Sequence, residues 1–231
     1  MSRAGRRQSQ PDSVAMRTAS ARLKELYPAY LNSLGLKDAS GSPMLLNPDG
    51  TGSFAEYVKA LYQASAQSAL DRKADLGGAD WFTVRDGKAA NVDLTKYAAW
   101  ATRLKAAPAF DKLDRSSGEN DVFGTTANVP RHFTDFARRY DPAHGDLAPD
   151  ADIRRMNPLG YIGTAGVKTA PHFRIRHGAK DRDTALAVPA VLALRLQNAG
   201  IDVDFAVPWG QGHGGDYDLD ELFNWIDRIC K

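Results

Sequence analysis

The chain has 231 residues, 43% of them apolar and 25% charged, with a formal net charge of +2. That composition suits a globular protein with a proper core, and the near-neutral balance gives no footing for nucleic acid or an acidic membrane surface. Cys230 is the only cysteine, which excludes intrachain disulfides and any cysteine-built zinc site.

Arg3, Arg6 and Arg7 make the N-terminus basic, but no apolar stretch follows them. Neither a secretory signal nor a transmembrane span is expected, and the expected location is cytoplasmic. Residues 1–15 are polar and expected to be unstructured. From Arg17 to Leu34 the pattern turns helical, with Leu23, Leu26, Tyr27 and Tyr30 spaced by threes and fours. Residues 35–52 are punctuated by glycine and proline and read as loop. Ser53 followed by Glu56 has the spacing of a capping box, opening a helix towards Lys73 that carries Phe54, Val58, Leu61 and Tyr62 on one face.

Asp93 begins a short helix expected to reach Lys105, and a fourth is expected over Arg131 to Tyr140. Between 17 and 150 no period-2 run stands out, so this span reads as mostly helical, with Gly/Asp-rich loops at 74–92 and 114–129. Loops of that length are uncommon in a compact domain unless they bind something.

After Pro158 the texture changes. Phe173 and Ile175 alternate with Arg174 and Arg176 in a short strand ending at Gly178. A helix follows to Gly200, its C′ residue, with Val188, Val191, Leu192 and Leu196 as its apolar face and a start near Val188 that places Pro189 at the first position. Val203, Phe205 and Val207 form a second strand stopped by Pro208. Asp218 and Glu221 are expected to cap a last helix striped by Leu219, Leu222, Phe223 and Ile226. Strand, helix, strand, helix implies two parallel strands, which alone cannot make a stable sheet and need partner strands.

Two residues in this last quarter carry chemistry. Asp181 follows the first of these strands and His213, among Gly210, Gly212, Gly214 and Gly215, follows the second. Loops past the carboxyl ends of parallel strands are where open α/β sheets place their sites, and acid-then-histidine is the order in which α/β-hydrolases end. The bland alternative is that Asp181 or Asp183 simply caps the following helix. A metal reading of the Asp181–Asp183 pair lacks a third ligand nearby in sequence. The serine of a Gly-x-Ser-x-Gly elbow is absent from the sequence.

From about Leu23 to Lys231 the chain resembles the C-terminal portion of bacterial tannases, tannin acyl hydrolases of α/β-hydrolase fold with a large inserted lid. The resemblance rests on Tyr30-Leu31-Asn32-Ser33-Leu34-Gly35-Leu36, Lys105-Ala106-Ala107-Pro108-Ala109-Phe110-Asp111, Ser117-Gly118-Glu119-Asn120 and Arg131-His132-Phe133-Thr134. It continues through Phe173-Arg174-Ile175-Arg176-His177-Gly178, Asp183-Thr184-Ala185-Leu186-Ala187-Val188-Pro189 and Gly215-Asp216-Tyr217-Asp218-Leu219. Residues 1–20 match poorly.

The resemblance implies an α/β fold, a partial α/β-hydrolase in which a mostly helical lid-like domain (21–157) precedes the last βαβα of the hydrolase core (158–231). It implies Asp181 as triad acid, His213 as general base, and Lys105, Glu119 and Asp183 as holders of a galloyl group's hydroxyls. It implies no metal and no organic cofactor. The expected ligand is a small galloyl or phenolic ester, and the expected partner a separate N-terminal hydrolase half carrying the nucleophile. The alternative is a non-catalytic truncated product or a module that binds phenolic esters without cleaving them.

Overall fold

Local chemistry fixes most of the elements. The computed structural model describes residues 14–102 and 107–231; of residues 1–15, expected to be unstructured, 1–13 lie outside them, and Val14 and Ala15 already belong to the first helix. Within these the chain runs α1 (Val14–Ser33), α2 (Ser53–Asp71), β1 (Thr83–Arg85), β2 (Lys88–Ala90), α3 (Leu94–Trp100), α4 (Gly118–Val122), α5 (Asp135–Tyr140) and α6 (Asp150–Arg155), then β3 (His172–Arg176), α7 (Ala187–Asn198), β4 (Asp202–Ala206) and α8 (Leu219–Ile229). It is a mixed structure of helices and two small sheets. Among the described residues no helix is long and apolar enough to cross a membrane.

Contacts divide the chain into two units: Met1–Tyr27 with Leu104–Gly160, and Pro28–Arg103 with Tyr161–Lys231. In the first, α4 is capped by Ser117, whose Oγ accepts from the Asn120 amide at 3.1 Å. Asn120 answers through its side chain, a capping box inside the segment expected to be bare loop. The helix expected from Arg131 starts at Asp135, because Thr134 takes the N-cap and its side chain accepts from the Ala137 amide.

At the centre of this unit lies a fully buried imidazole. His132 has Nδ1 2.7 Å from Asp111 Oδ1 and Nε2 3.1 Å from Asp141 Oδ2. Asp111 also accepts from the amides of Phe133 and Thr134, and Asp141 takes the Arg115 guanidinium and the amides of Ala143 and Gly145. Buried carboxylates are tolerable where each oxygen finds a donor, as here.

In the second unit α2 buries Phe54, Val58, Tyr62, Ala66 and Ala69 along one face. The capping box predicted for it does not form. The Ser53 hydroxyl instead donates to the Pro43 carbonyl (3.0 Å) and accepts from the Leu45 amide (2.8 Å), tying the preceding loop, while Glu56 pairs with Lys59. The loop at 74–92 contains the antiparallel hairpin β1–β2, contrary to the strandless reading of this span. Its turn residues Asp86 (φ 49°) and Gly87 (φ 74°) both take positive φ, as a two-residue turn of type I′ demands. Asp93 caps α3, accepting from the amides of Thr95 and Lys96, but the helix stops at Trp100 rather than continuing to Lys105.

β3 and β4 pair in parallel, in register from His172–Asp202 to Arg176–Ala206. Phe173 and Ile175 lie beside Val203 and Phe205. The His172 ring lies 2.9 Å from Asp202, and Arg174 forms an ion pair with Asp204 at 3.5 Å. α7 packs on β4 and buries Ala190, Val191, Leu194 and Leu196. Pro189 is its third residue, where the missing N–H costs no helical bond, and Gly200 ends it at φ 78°. Asp218 holds the N-cap position of α8 but makes no capping bond, and neither does Glu221 cap it. The Asp218 carboxylate takes the guanidinium groups of Arg174 (2.7 Å) and Arg176 (3.2 Å) instead; the Arg174 bond, against some burial, holds its carboxyl below the ordinary range.

Candidate active site

The ladder between β3 and β4 continues beyond both strands. The His177 amide donates to Ala206 (3.2 Å), the Ala179 amide to Pro208 (2.9 Å) and the Lys180 amide to Gln211 (2.8 Å). This zipper brings the segment carrying Asp181 against the segment carrying His213. Gly178 is where they approach most closely: a Cβ there would sit 2.3 Å from the carbonyl oxygens of both Gln211 and Gly212. Only glycine fits.

Asp181 and His213 meet. The Asp181 side chain is 4% exposed, and its Oδ2 lies 3.0 Å from Nδ1 of His213, whose side chain is 59% exposed. Oδ1 accepts from the amides of Asp183 (2.8 Å) and Thr184 (2.9 Å). One carboxylate therefore serves both expectations, organising the turn before α7 through one oxygen and holding an imidazole with the other; the helix's own N-cap is Leu186. Burial pushes the Asp181 carboxyl up, but the Thr184 amide, the His213 ring, the Asp183 amide and the charge of His177 outweigh it. The net effect is an acid held below its ordinary value of 3.8. Ionised and accepting, Asp181 can fix the His213 tautomer with the proton on Nδ1, which leaves Nε2 to act as the base.

Asp183 is exposed beside this pair, and one donor atom each from Asp181, Asp183 and His213 lies within 4.8 Å of the others. The third ligand missing from the sequence reading is thus present in space. Asp181 is already committed to two amides and an imidazole, so the hydrogen-bonded pair accounts for the arrangement. Glu119 sits in the first turn of α4, half-buried, in the other unit. Lys105 lies outside the described residues.

Several residues that shape the site gave no signal in sequence. His177 is buried with Nδ1 3.5 Å from Asp181 Oδ2, a second imidazole facing the acid. The segment 75–102 underpins the loops that carry Asp181 and His213. The Tyr97 hydroxyl donates to the Ala179 carbonyl (2.9 Å), the Trp209 indole to Asp75 (3.0 Å), the Trp100 indole to Gly77 (3.1 Å) and Arg182 Nε to Thr102 (3.3 Å). Trp81, fully buried, stacks on Trp209 at 5.7 Å, and Lys180 lies 4.5 Å from the Trp100 ring centre. Beside the His213 loop a cleft of about 350 Å³ is lined by Arg174, Arg176, Trp209, Gln211 and Tyr217 among others. Its two arginines are already paired with Asp204 and Asp218.

An acid and an imidazole joined past the ends of adjacent parallel strands is a geometry that ester hydrolases use. Solved structures similar to this chain are of that class. A tannase from Lactobacillus plantarum is 42% identical with a TM-score of 0.91, the match covering 95% of this chain and 47% of that one. A tannin acyl hydrolase in complex with ethyl gallate is 42% identical with a TM-score of 0.90, over 95% and 48%. The tannase of Fusobacterium nucleatum is 43% identical with a TM-score of 0.88, over 95% and 47%. No protein-family model and no curated protein matches the chain. The chain is a partial counterpart of the bacterial tannases and spans about half of their length.

Proposed function

We propose that the chain is the acid–base and substrate-gripping half of a tannase-type serine esterase acting on galloyl and related phenolic esters. The observation that carries this is the 3.0 Å contact between Asp181 and His213, past two parallel strands, in a chain 42–43% identical to tannases. In this reading 21–157 is the lid-like part and 158–231 the end of an α/β-hydrolase core. The nucleophilic serine comes from an N-terminal hydrolase half, since the sequence holds no Gly-x-Ser-x-Gly segment. The single cysteine suits a reducing cytoplasm, the compartment we assign it.

Nε2 of His213 takes the proton as the serine Oγ attacks the ester carbonyl carbon, and Asp181 stabilises the imidazolium that forms. Collapse of the tetrahedral adduct expels the alcohol, which leaves with that proton, and the galloyl group stays on the serine. Water then attacks the acyl-enzyme, giving its proton to His213, which returns it to the departing serine; gallate is released. Lys105, Glu119 and Asp183 hold the ring hydroxyls. One ammonium and two carboxylates complement three adjacent phenols, and a ring lacking them leaves charges unpaired.

The test is hydrolysis of ethyl gallate by the purified chain, with and without a co-expressed N-terminal tannase half. Turnover only with that half supports the reading, and none in either case removes it. The missing elbow also favours a second reading, a module that binds phenolic esters without cleaving them. Calorimetric titration with gallate that shows heat abolished by Lys105→Ala, in a chain inactive under both conditions, would select that one.

A further inference from the structure

The oxygen of Asp181 that meets His213 also faces a second imidazole, from inside the protein. Oδ2 lies 3.0 Å from Nδ1 of His213 and 3.5 Å from Nδ1 of His177. Oδ1 is held by backbone, through the amides of Asp183 and Thr184. The carboxylate is thus fixed at one oxygen and shared at the other.

The two imidazoles are held with different firmness. The His177 side chain is 5% exposed, and its amide donates to Ala206 in the first rung beyond β3. His213 stands in an exposed run, 212–216, and nothing lies within 4 Å of a would-be Cβ at Gly210, Gly212 or Gly214. Exposed segments with few contacts open at low cost, so His213 is the partner that leaves. Its departure strips a donor from a buried carboxylate, and a buried charged acceptor left short of donors is costly. At 3.5 Å the His177 contact is longer than a good hydrogen bond, and a shift of about half an ångström closes it. With its proton on Nδ1, His177 offers that donor in either charge state.

We propose that His177 is a positioning residue, which takes over Asp181 Oδ2 whenever His213 swings out and so keeps the acid hydrogen-bonded and aimed at the His213 loop. This deepens the esterase reading and rests on it for its catalytic meaning. A base that passes a proton between serine, alcohol and water then returns each time to an acid already in place. A histidine that only filled space beneath Asp181 would be indifferent to the presence of His213. That difference is what an experiment can read.

The experiment is a double-mutant cycle in urea unfolding of the full chain at neutral pH, which needs no turnover and is scored apart from ester hydrolysis. His213→Ala alone is expected to lower the folding constant by less than about fivefold, because His177 replaces the lost donor. His177→Leu also removes packing, a loss that the cycle cancels. With both replaced, the constant is expected to fall at least about tenfold below the product of the two single effects. His177→Asn, whose side-chain amide reaches where Nδ1 stood, is expected to recover most of that excess when paired with His213→Ala. A second readout needs only the exposed substitution: in His213→Ala the Nδ1–H resonance of His177 is expected to move downfield as its contact shortens. Additive losses, an unmoved His177 resonance, or an asparagine double variant as unstable as the leucine one would each overturn the proposal. Coupling found in a chain that stays inactive with its N-terminal half keeps the shared acid and removes only the esterase reading.

Discussion

The phenol of Tyr97 donates to the carbonyl of Ala179 across 82 positions of sequence, in a buried contact of 2.9 Å. Ala179 lies between Gly178, where the Asp181 and His213 loops touch, and Asp181, so this bond anchors the Asp181 turn. Tyr97→Phe keeps the ring packed against Tyr62 and Trp81 but leaves a buried carbonyl short of a donor. The expected cost is about 1–2 kcal/mol in urea unfolding, with a change in the His213 ring resonances that a remote core substitution does not produce.

Gly178→Ala is expected to be worse. Its Cβ would meet two backbone carbonyls at 2.3 Å, and backbone cannot turn aside as a flexible side chain does. Overpacking of this kind costs about 1–3 kcal/mol or more, and the strain falls on the segment holding His213. Gly214→Ala is the control: nothing lies within 4 Å of its would-be Cβ, and stability should change by less than about 0.5 kcal/mol. Equal losses in the two variants would refute the close approach.

Acid should uncouple the pair. The Asp181 carboxyl titrates below its ordinary 3.8 in the folded chain, so the unfolded chain binds its proton first as pH falls. The stability this contributes is complete above the unfolded value and is lost as pH drops through the folded one. Asp181→Asn should therefore flatten the decline of stability below about pH 4. Parallel acid limbs for the two proteins in denaturation series from pH 6 to pH 2 would contradict this.

His132 is expected to be the costliest single position of its unit. Both ring nitrogens face carboxylates, and His132→Leu would leave Asp111 and Asp141 buried without their shared partner. Breaking a buried charged network from one side costs about 3–5 kcal/mol. Urea midpoints for His132→Leu against Arg138→Ala, whose pair with Asp135 is exposed, give the comparison; the latter should shift stability by less than about 1 kcal/mol.

The final quarter was legible because its signals are local. Gly200 ends a helix, and the alternation of Phe173 and Ile175 with arginines falls on a strand, although β4 stops at Ala206, two residues before Pro208, and all five β3 residues are half-buried. That Asp181 and His213 lie close together could be read from their places after those strands. The hairpin at 83–90 was overlooked although Asp86-Gly87 is a strong turn signal, because strands of three residues are too short for periodicity to register. Ser53 and Asp218 were misread for one physical reason: a side chain that can cap its own helix bonds elsewhere when tertiary structure offers a nearer or charged partner. His177, Tyr97 and Trp209 were invisible, since contacts between residues far apart in sequence leave no spacing to read.

The rungs linking Ala179 to Pro208 and Lys180 to Gln211 mean that the acid and the imidazole are assembled by neighbouring backbone rather than by anything that binds them. For the reaction proposed above, a nucleophile would be the one group left to align, since the entropy of gathering the other two is settled when the chain folds.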